Sequence, residues 1–274
     1  MTNRGHKGTA GIAAECVEKQ LRIPRLPSGR PSVADSRCRI PIAFIDQLHQ
    51  PPLATSRARA PALHWSVRVL SRFLLSATDV GHFPVPSLPE IAFLGRSNVG
   101  KSSVINSLVG TKLARTSSTP GRTRAINFFE LRIAGKPRPE LIFADLPGYG
   151  YAKLSREVSS QWPSFIDPYL KERPTLALCV ALVDSNIPPQ ESDQQLLDFL
   201  AATARPFLIV ATKSDRLSGN QLSNALRQLG EQYAGARIVA FSAKTGAGKE
   251  ELWQAIRKAA EEQLASRLRT ASQG

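Results

Sequence analysis

The sequence predicts a three-layer α/β fold, a mostly parallel six-stranded sheet with helices on both faces. Short apolar runs alternate with helical patterns from Ile91 onward, the mark of strand-helix-strand units. A glycine-bearing turn, Gly95-Arg96-Ser97-Asn98-Val99-Gly100-Lys101-Ser102, joins the first run to the first helix. Polar turns with chemistry-bearing residues, Asp145 and Thr212 among them, close later runs, where α/β proteins place their ligands.

Ile91 to Leu94 reads as the first strand and Lys101 to Val109 as the helix after the turn. Ile126 to Ile133 and Leu141 to Ala144 read as a hairpin joined through Ala134-Gly135-Lys136, and further strands are expected at Leu176 to Val183, Phe207 to Ala211 and Arg237 to Phe241. Helices are expected at Ser160 to Glu172, Glu191 to Ala202, Gly219 to Tyr233 and Lys249 to Arg267; in the last two, Leu and Ala recur at three- and four-residue spacings. No repeat is visible, and too little chain follows residue 248 for a second RNA-binding module such as a KH domain.

Residues 1–63 differ from the rest. Pro24, Pro27, Pro31, Pro41, Pro51, Pro52 and Pro61 lie among Arg, Ser and Ala without lasting periodicity, so this basic extension is expected to be disordered. Its alternatives are a start set too early and a transit segment; Glu15, Glu18, Asp35 and Asp46 count against the latter. One ordered domain is expected over 64–267, followed by a tail at 268–274. The net charge of +14 is divided evenly between residues 1–88 and the remainder. A basic balance of this size favours a polyanionic partner such as RNA. No apolar run approaches the roughly 20 residues of a membrane span, and Thr270-Ala271-Ser272-Gln273-Gly274 carries no prenylation signal. Cys16, Cys38 and Cys179 form no C-x-x-C pair, which suits reduced thiols in a cytoplasmic protein. His6, His49, His64 and His82 all precede the glycine-bearing turn, leaving no histidine in the expected domain's later part for metal binding or base catalysis.

The run from Gly95 to Ser102 fits G-x-x-x-x-G-K-[ST]. Such a loop turns backbone N–H groups onto phosphates, with Lys101 on the β/γ oxygens and the Ser102 hydroxyl on Mg²⁺. Asp145-Leu146-Pro147-Gly148 closes an apolar run, where the Asp can hold Mg²⁺ through water and the Gly amide can reach a γ-phosphate. Thr212-Lys213-Ser214-Asp215 selects guanine, because a carboxylate accepts both the ring N–H and the exocyclic amine, a donor pair that adenine lacks. Phe241-Ser242-Ala243-Lys244 follows the last strand, and the Ser242 and Ala243 amides are expected to bond guanine O6. Between the first two motifs, Thr119-Pro120-Gly121-Arg122-Thr123-Arg124 stands at a switch position. On the residues alone the γ-phosphate-sensing hydroxyl is open among Thr116, Ser117, Ser118, Thr119 and Thr123.

These strings, G-R-S-N-V-G-K-S, T-P-G-R-T-R, D-L-P-G-Y-G-Y-A and T-K-S-D, resemble the EngB (YihA/YsxC) family of GTPases over about Phe73 to Glu262. The resemblance implies a single Ras-like phosphate-loop domain that is monomeric. It also implies Mg²⁺-dependent hydrolysis of GTP to GDP, cycling on a large ribosomal subunit precursor or its rRNA, and a link to division septation. It makes Ser102 and Thr123 the metal ligands, and Gly121, Arg122, Thr123, Arg124 and Ala125 the switch loop. Asp145 to Gly148 then sense the γ-phosphate, and Lys213 and Asp215 read the base. The long extension before about residue 65 departs from the family pattern.

Lys101, Thr123, Gly148 and Asn98 are the candidate catalytic residues. Tyr149 stands where efficient Ras-like hydrolysis uses a water-orienting Gln, so slow intrinsic turnover is expected; Tyr149 otherwise packs locally, or with Tyr151 or Lys153 touches the ribosome. An Asn98 side-chain carbonyl can hold a K⁺ ion against the β- and γ-phosphates, as related potassium-stimulated GTPases resemble; its alternative is a hydrogen bond within the loop. A GTP-gated scaffold with negligible turnover is the competing reading.

Overall fold

The computed structural model describes residues 68–114, 125–148 and 164–272. The proposed disordered extension, the switch residues 121–124 and Tyr149, Tyr151 and Lys153 lie outside them. The strands are β1 (Val69–Ala77), β2 (Glu90–Gly95), β3 (Ile126–Ile133), β4 (Leu141–Asp145), β5 (Leu176–Asp184), β6 (Phe207–Thr212) and β7 (Arg237–Ala240). They form one sheet in the order β1-β3-β4-β2-β5-β6-β7. β2 pairs in parallel with β4 and β5, and β5, β6 and β7 continue in parallel, whereas β1–β3 and β3–β4 are antiparallel. The strand order therefore reverses around β2, and its carboxyl end opens into the crevice where such sheets bind ligands.

The helices are α1 (Lys101–Val109), α2 (Ile166–Glu172), α3 (Glu191–Ala202), α4 (Gly219–Gln232) and α5 (Lys249–Ala271). α1 and α5 pack on one face of the sheet, with Phe93, Phe143 and Leu182 meeting Ile105, Trp253 and Ile256. Trp253 stacks on Phe143 at 5.7 Å between ring centroids and donates its indole N–H to the Leu108 carbonyl at 3.2 Å. The opposite face packs Phe128, Cys179 and Ile209 against Tyr169, Leu196, Leu200 and Leu229 from α2, α3 and α4. Burial on both faces explains why β5 is apolar along almost its whole length.

A seventh strand, β1, joins the six expected. Its sequence hides the period of two because a register shift between Phe73 and Leu75 interrupts the alternation, and because an edge strand leaves Leu70 and Phe73 more than half exposed. α2 is described only from Ile166, and Ser160 lies outside the described residues. α5 runs to Ala271, past the expected end at 267, so most of the expected tail is helix.

Glu90 opens β2 fully buried. Arg173 reaches its carboxylate through Nε at 2.8 Å and Nη2 at 2.6 Å, Thr175 donates at 2.5 Å and the Tyr169 hydroxyl at 2.9 Å. Arg173 Nη2 also donates to the Pro84 carbonyl at 2.6 Å. Burial, then the charge of Glu90, pushes the Tyr169 hydroxyl pKa well up, so it stays a donor. The cluster ties the chain before β2 to α2 and β5. Arg173→Met should destabilise the fold by roughly 3–5 kcal/mol, because it leaves a buried carboxylate uncompensated. Glu90→Leu combined with Arg173→Met should recover most of that loss, as read by urea unfolding.

Candidate functional site

The turn after β2 adopts a shape that its residues dictate. Asn98 has φ +64° and Gly100, the residue capping α1, has φ +107°. Asn enters the left-handed region more readily than most residues, and Gly does so freely. A Cβ at Gly95 would stand 2.8 Å from Val99 Cγ1 and 3.1 Å from Leu182 Cβ, so the loop folds back against β5 only with glycine there. The Arg96 guanidinium turns away to Asp193 on α3, with Nε 3.7 Å from Oδ1, an ion-pair distance rather than a hydrogen bond. Its side chain braces the loop, and only its backbone is left to face a ligand.

β4 brings the second motif alongside. Phe93 and Asp145 are register partners, and the Leu146 N–H continues the ladder to the Phe93 carbonyl at 3.2 Å. Leu146 is fully buried and anchors the turn. The Lys101 ammonium hydrogen-bonds Asp145 Oδ1, with both side chains largely buried. A Cβ at Gly148 would meet Ser97 Oγ at 3.0 Å and Ser97 N at 3.2 Å. The glycine of the second motif therefore lies directly on the phosphate-loop backbone.

The donor set suits Mg²⁺. Ser102 lies in the first turn of α1 and the Asp145 carboxylate pairs with Lys101, so hard oxygen donors stand near a helix N-terminus. Among the described residues no three His, Cys, Asp or Glu gather to hold a metal alone. Thr123, the other expected ligand, lies outside the described residues, as do Gly121, Arg122 and Arg124; Ala125 directly precedes β3.

The base corner is built on the ends of β6 and β7. The Thr212 hydroxyl lies 2.6 Å from the Val99 carbonyl and 3.1 Å from that of Val183. Lys213, at φ +58°, donates through Nζ to the Asn98 carbonyl at 2.9 Å and to Asp184 Oδ2 at 2.6 Å. Ser214 N–H bonds the Phe241 carbonyl at 3.2 Å. Ser242 Oγ donates to Asp215 Oδ1 at 2.6 Å and accepts the Lys244 and Thr245 amides at 3.2 and 3.1 Å. Thr212 to Asp215 and Phe241 to Ala243 thus form one corner. One assignment is corrected: the Ser242 amide donates to the Ala247 carbonyl at 3.0 Å. It is not available to guanine O6, which leaves Ala243 of the expected pair.

Asp184 is the residue that motif reading missed. It ends β5 next to β2, and a carboxylate closing a buried apolar strand at this end of the sheet is the signal that marks it. Burial raises its pKa, but hydrogen bonds from Lys213 and from Asn186, whose N–H and Nδ2 each lie 3.0 Å from Oδ1, outweigh that and hold it below the usual 3.8. The Ser242 hydrogen bond, with Lys244 and Arg216 nearby, lowers Asp215 as well.

The profile of the 50S ribosome-binding GTPase family matches residues 90–213. The EngB GTP-binding protein of Koribacter versatilis is 61% identical over 194 residues, 71% of this chain and 96% of that one. That of Acidobacterium capsulatum is 56% identical over 197 residues, 72% and 93% respectively. The chain belongs to the EngB family of GTP-binding proteins. It is accordingly a GTP-hydrolysing enzyme of the phosphate-loop class. A crystal structure of an EngB GTP-binding protein superposes with TM-score 0.50 and 25% identity over 63% of this chain and 99% of that one. Era from Aquifex aeolicus, solved with GDP and AlF₄⁻, shares the fold at TM-score 0.53 and 23% identity over 63% and 57%.

Replacing Asp215 by Asn, which swaps an acceptor for a mixed group, should weaken GTP binding at least tenfold. It should shift preference to XTP, whose ring carries an oxygen in place of the amine; competition binding of the two nucleotides checks it. What Asp184 and Asp215 contribute is fully present above pH 3.8 and is lost only as pH falls through their lower folded-state values. Guanine selectivity should therefore be flat from about pH 5 to 8, as a binding titration across that range reads directly.

Proposed function

We propose that this EngB protein is a GTP-driven switch in assembly of the large ribosomal subunit, acting in the cytoplasm. The observation that carries the reading is the Lys213 ammonium on the Asn98 carbonyl, which makes the base corner and the phosphate loop one unit. GTP would lie with its base at Asp215 and Ala243, its sugar and α-phosphate past Lys213, and its β/γ-phosphates in the turn from Gly95 to Ser102. Lys101 would exchange Asp145 for phosphate oxygens. The Gly148 amide, resting on Ser97, would meet the γ-phosphate, and Thr123 would close over it. Ser102 and Thr123, with Asp145 nearby, would hold a Mg²⁺ ion, which would neutralise charge on the phosphates. Water attacks the γ-phosphorus in line, and GDP and phosphate leave. Loss of the γ-phosphate removes what Thr123 and Gly148 hold on to, which releases the switch.

The ribosomal partner rests on the family description and the basic chain, whose charge suits an rRNA-rich particle. Co-sedimentation with large-subunit precursors should be several-fold stronger with a GTP analogue than with GDP and should weaken as salt rises. Thr123→Ala should keep GDP binding and lose the nucleotide dependence. Equal binding of the unaltered protein in both nucleotide states would favour the scaffold reading instead.

K⁺ activation through Asn98 is a separate proposal. The φ of +64° gives this residue a backbone reason to be Asn, so the test must separate backbone from side chain. Asn98→Gly keeps the left-handed turn and removes the amide. Turnover should rise several-fold when K⁺ replaces Na⁺ at equal ionic strength, and Asn98→Gly should abolish that rise while retaining nucleotide affinity. Identical turnover of the unaltered protein in both salts would assign Asn98 to the backbone alone.

A further inference from the structure

Several exposed cations of the domain sit against carboxylates: Arg72 on Glu130, Lys171 on Asp167, Arg227 on Glu231 and Arg237 on Glu251. At the β3–β4 hairpin that pattern breaks. Lys136 does pair, with Glu140 at 3.4 Å. Arg68, Arg132 and Arg138 are exposed, and neither they nor Arg257 on α5 has a carboxylate within ion-pair distance among the described residues.

Strand pairing gathers these arginines at one end of the fold. Arg132 is the register partner of Leu70, and the Ala134 N–H bonds the Arg68 carbonyl at 2.8 Å, so Arg68 and Arg132 are diagonal neighbours across the β1–β3 pair. Arg68, Lys136 and Arg257 line one groove between the hairpin and α5, and its carboxylates, Glu140 and Glu261, leave the cations in excess. Arg138 stands in Lys136-Pro137-Arg138-Pro139. Each proline fixes its own φ and restricts the residue before it, so this loop has little backbone freedom left to lose on binding. Like charges set side by side repel, whereas the guanidinium fork matches phosphate oxygens. Ile142, just after the hairpin, pairs with Glu90, the first residue of β2, while the phosphate loop follows the last, Gly95. About 17 Å of β2 therefore separates this end from the nucleotide.

We propose that this arginine cluster is a contact with ribosomal RNA that grips the phosphodiester backbone at the end of the fold opposite the nucleotide, and that it holds whichever nucleotide is bound. The inference rests on the ribosomal partner proposed above and adds to it a place and a chemistry. The attraction is salt-sensitive and tolerant of sequence, because phosphates are what the arginines meet. Nucleotide state then modulates a docking whose standing part lies elsewhere on the domain.

The test uses the full chain carrying Arg68→Gln, Arg132→Gln and Arg138→Gln together. A control with Lys171→Gln, Arg227→Gln and Arg237→Gln removes the same charge elsewhere on the surface. With GDP bound and near physiological salt, affinity for a protein-free fragment of large-subunit rRNA should fall by about tenfold or more in the first variant and by less than about threefold in the control. The slope of log K against log salt should drop by roughly 2 in the first variant alone. GDP affinity should be unchanged in both, which shows the fold intact. In co-sedimentation with precursor particles, binding should fall in both nucleotide states while the ratio of GTP-analogue to GDP binding keeps its unaltered value. Equal losses in the two variants, or none in either, overturn the proposal; loss of the nucleotide ratio overturns it too, because the cluster is then part of the switch. Weaker particle binding with intact rRNA binding assigns the cluster to a ribosomal protein and overturns the RNA contact. A selective loss on rRNA upholds the contact even where the unaltered protein binds particles equally in both nucleotide states, the result that defeats the switch.

Discussion

The Lys213 ammonium joins the loop after β2 to the end of β5. It sits between the Asn98 carbonyl at 2.9 Å and the Asp184 carboxylate at 2.6 Å. With the side chain about a quarter exposed, the pair is stronger than a surface ion pair and escapes the full desolvation cost of a deep one. The Thr212 hydroxyl adds a second tie to the same loop through Val99. The loop's glycines would otherwise leave it many conformations; hydrogen bonds from Thr212 at the end of β6 and from Lys213 after it select one.

A second constraint is steric. Gly95 lets the loop press on Leu182, and Gly148 lets the turn after β4 press on Ser97. A side chain at Gly95 would push the loop off β5, and one at Gly148 would crowd Ser97. The close approach at Ser97 puts the turn after Asp145 directly against the loop. Lys101 and Asp145 form an ion pair with both side chains largely buried.

Much of this was legible in the chain. All six expected strands match their apolar runs to within a residue at each end, and α1 and α3 match their expected bounds residue for residue, because burial on one or both faces writes itself into periodicity. β1 was hidden, since an edge strand with a bulge answers to pairing with β3 rather than to a hydrophobic face. The Ser242 amide was assigned to the base from motif order alone. Its bond to Ala247 depends on the turn that leads into α5, and no local pattern announces that turn.

The sequence by itself determined which residue types meet a phosphate, a metal and a base, because those demands are chemical and local: glycines for a tight turn, a lysine for charge, a carboxylate for guanine's donors. Tertiary structure alone decided how they are held. Asp184 orients Lys213, Asp193 withdraws Arg96, and Gly148 rests on Ser97. Each of these pairs is far apart in the chain, and only the sheet order, with β2 between β4 and β5, brings their strand ends to one crevice.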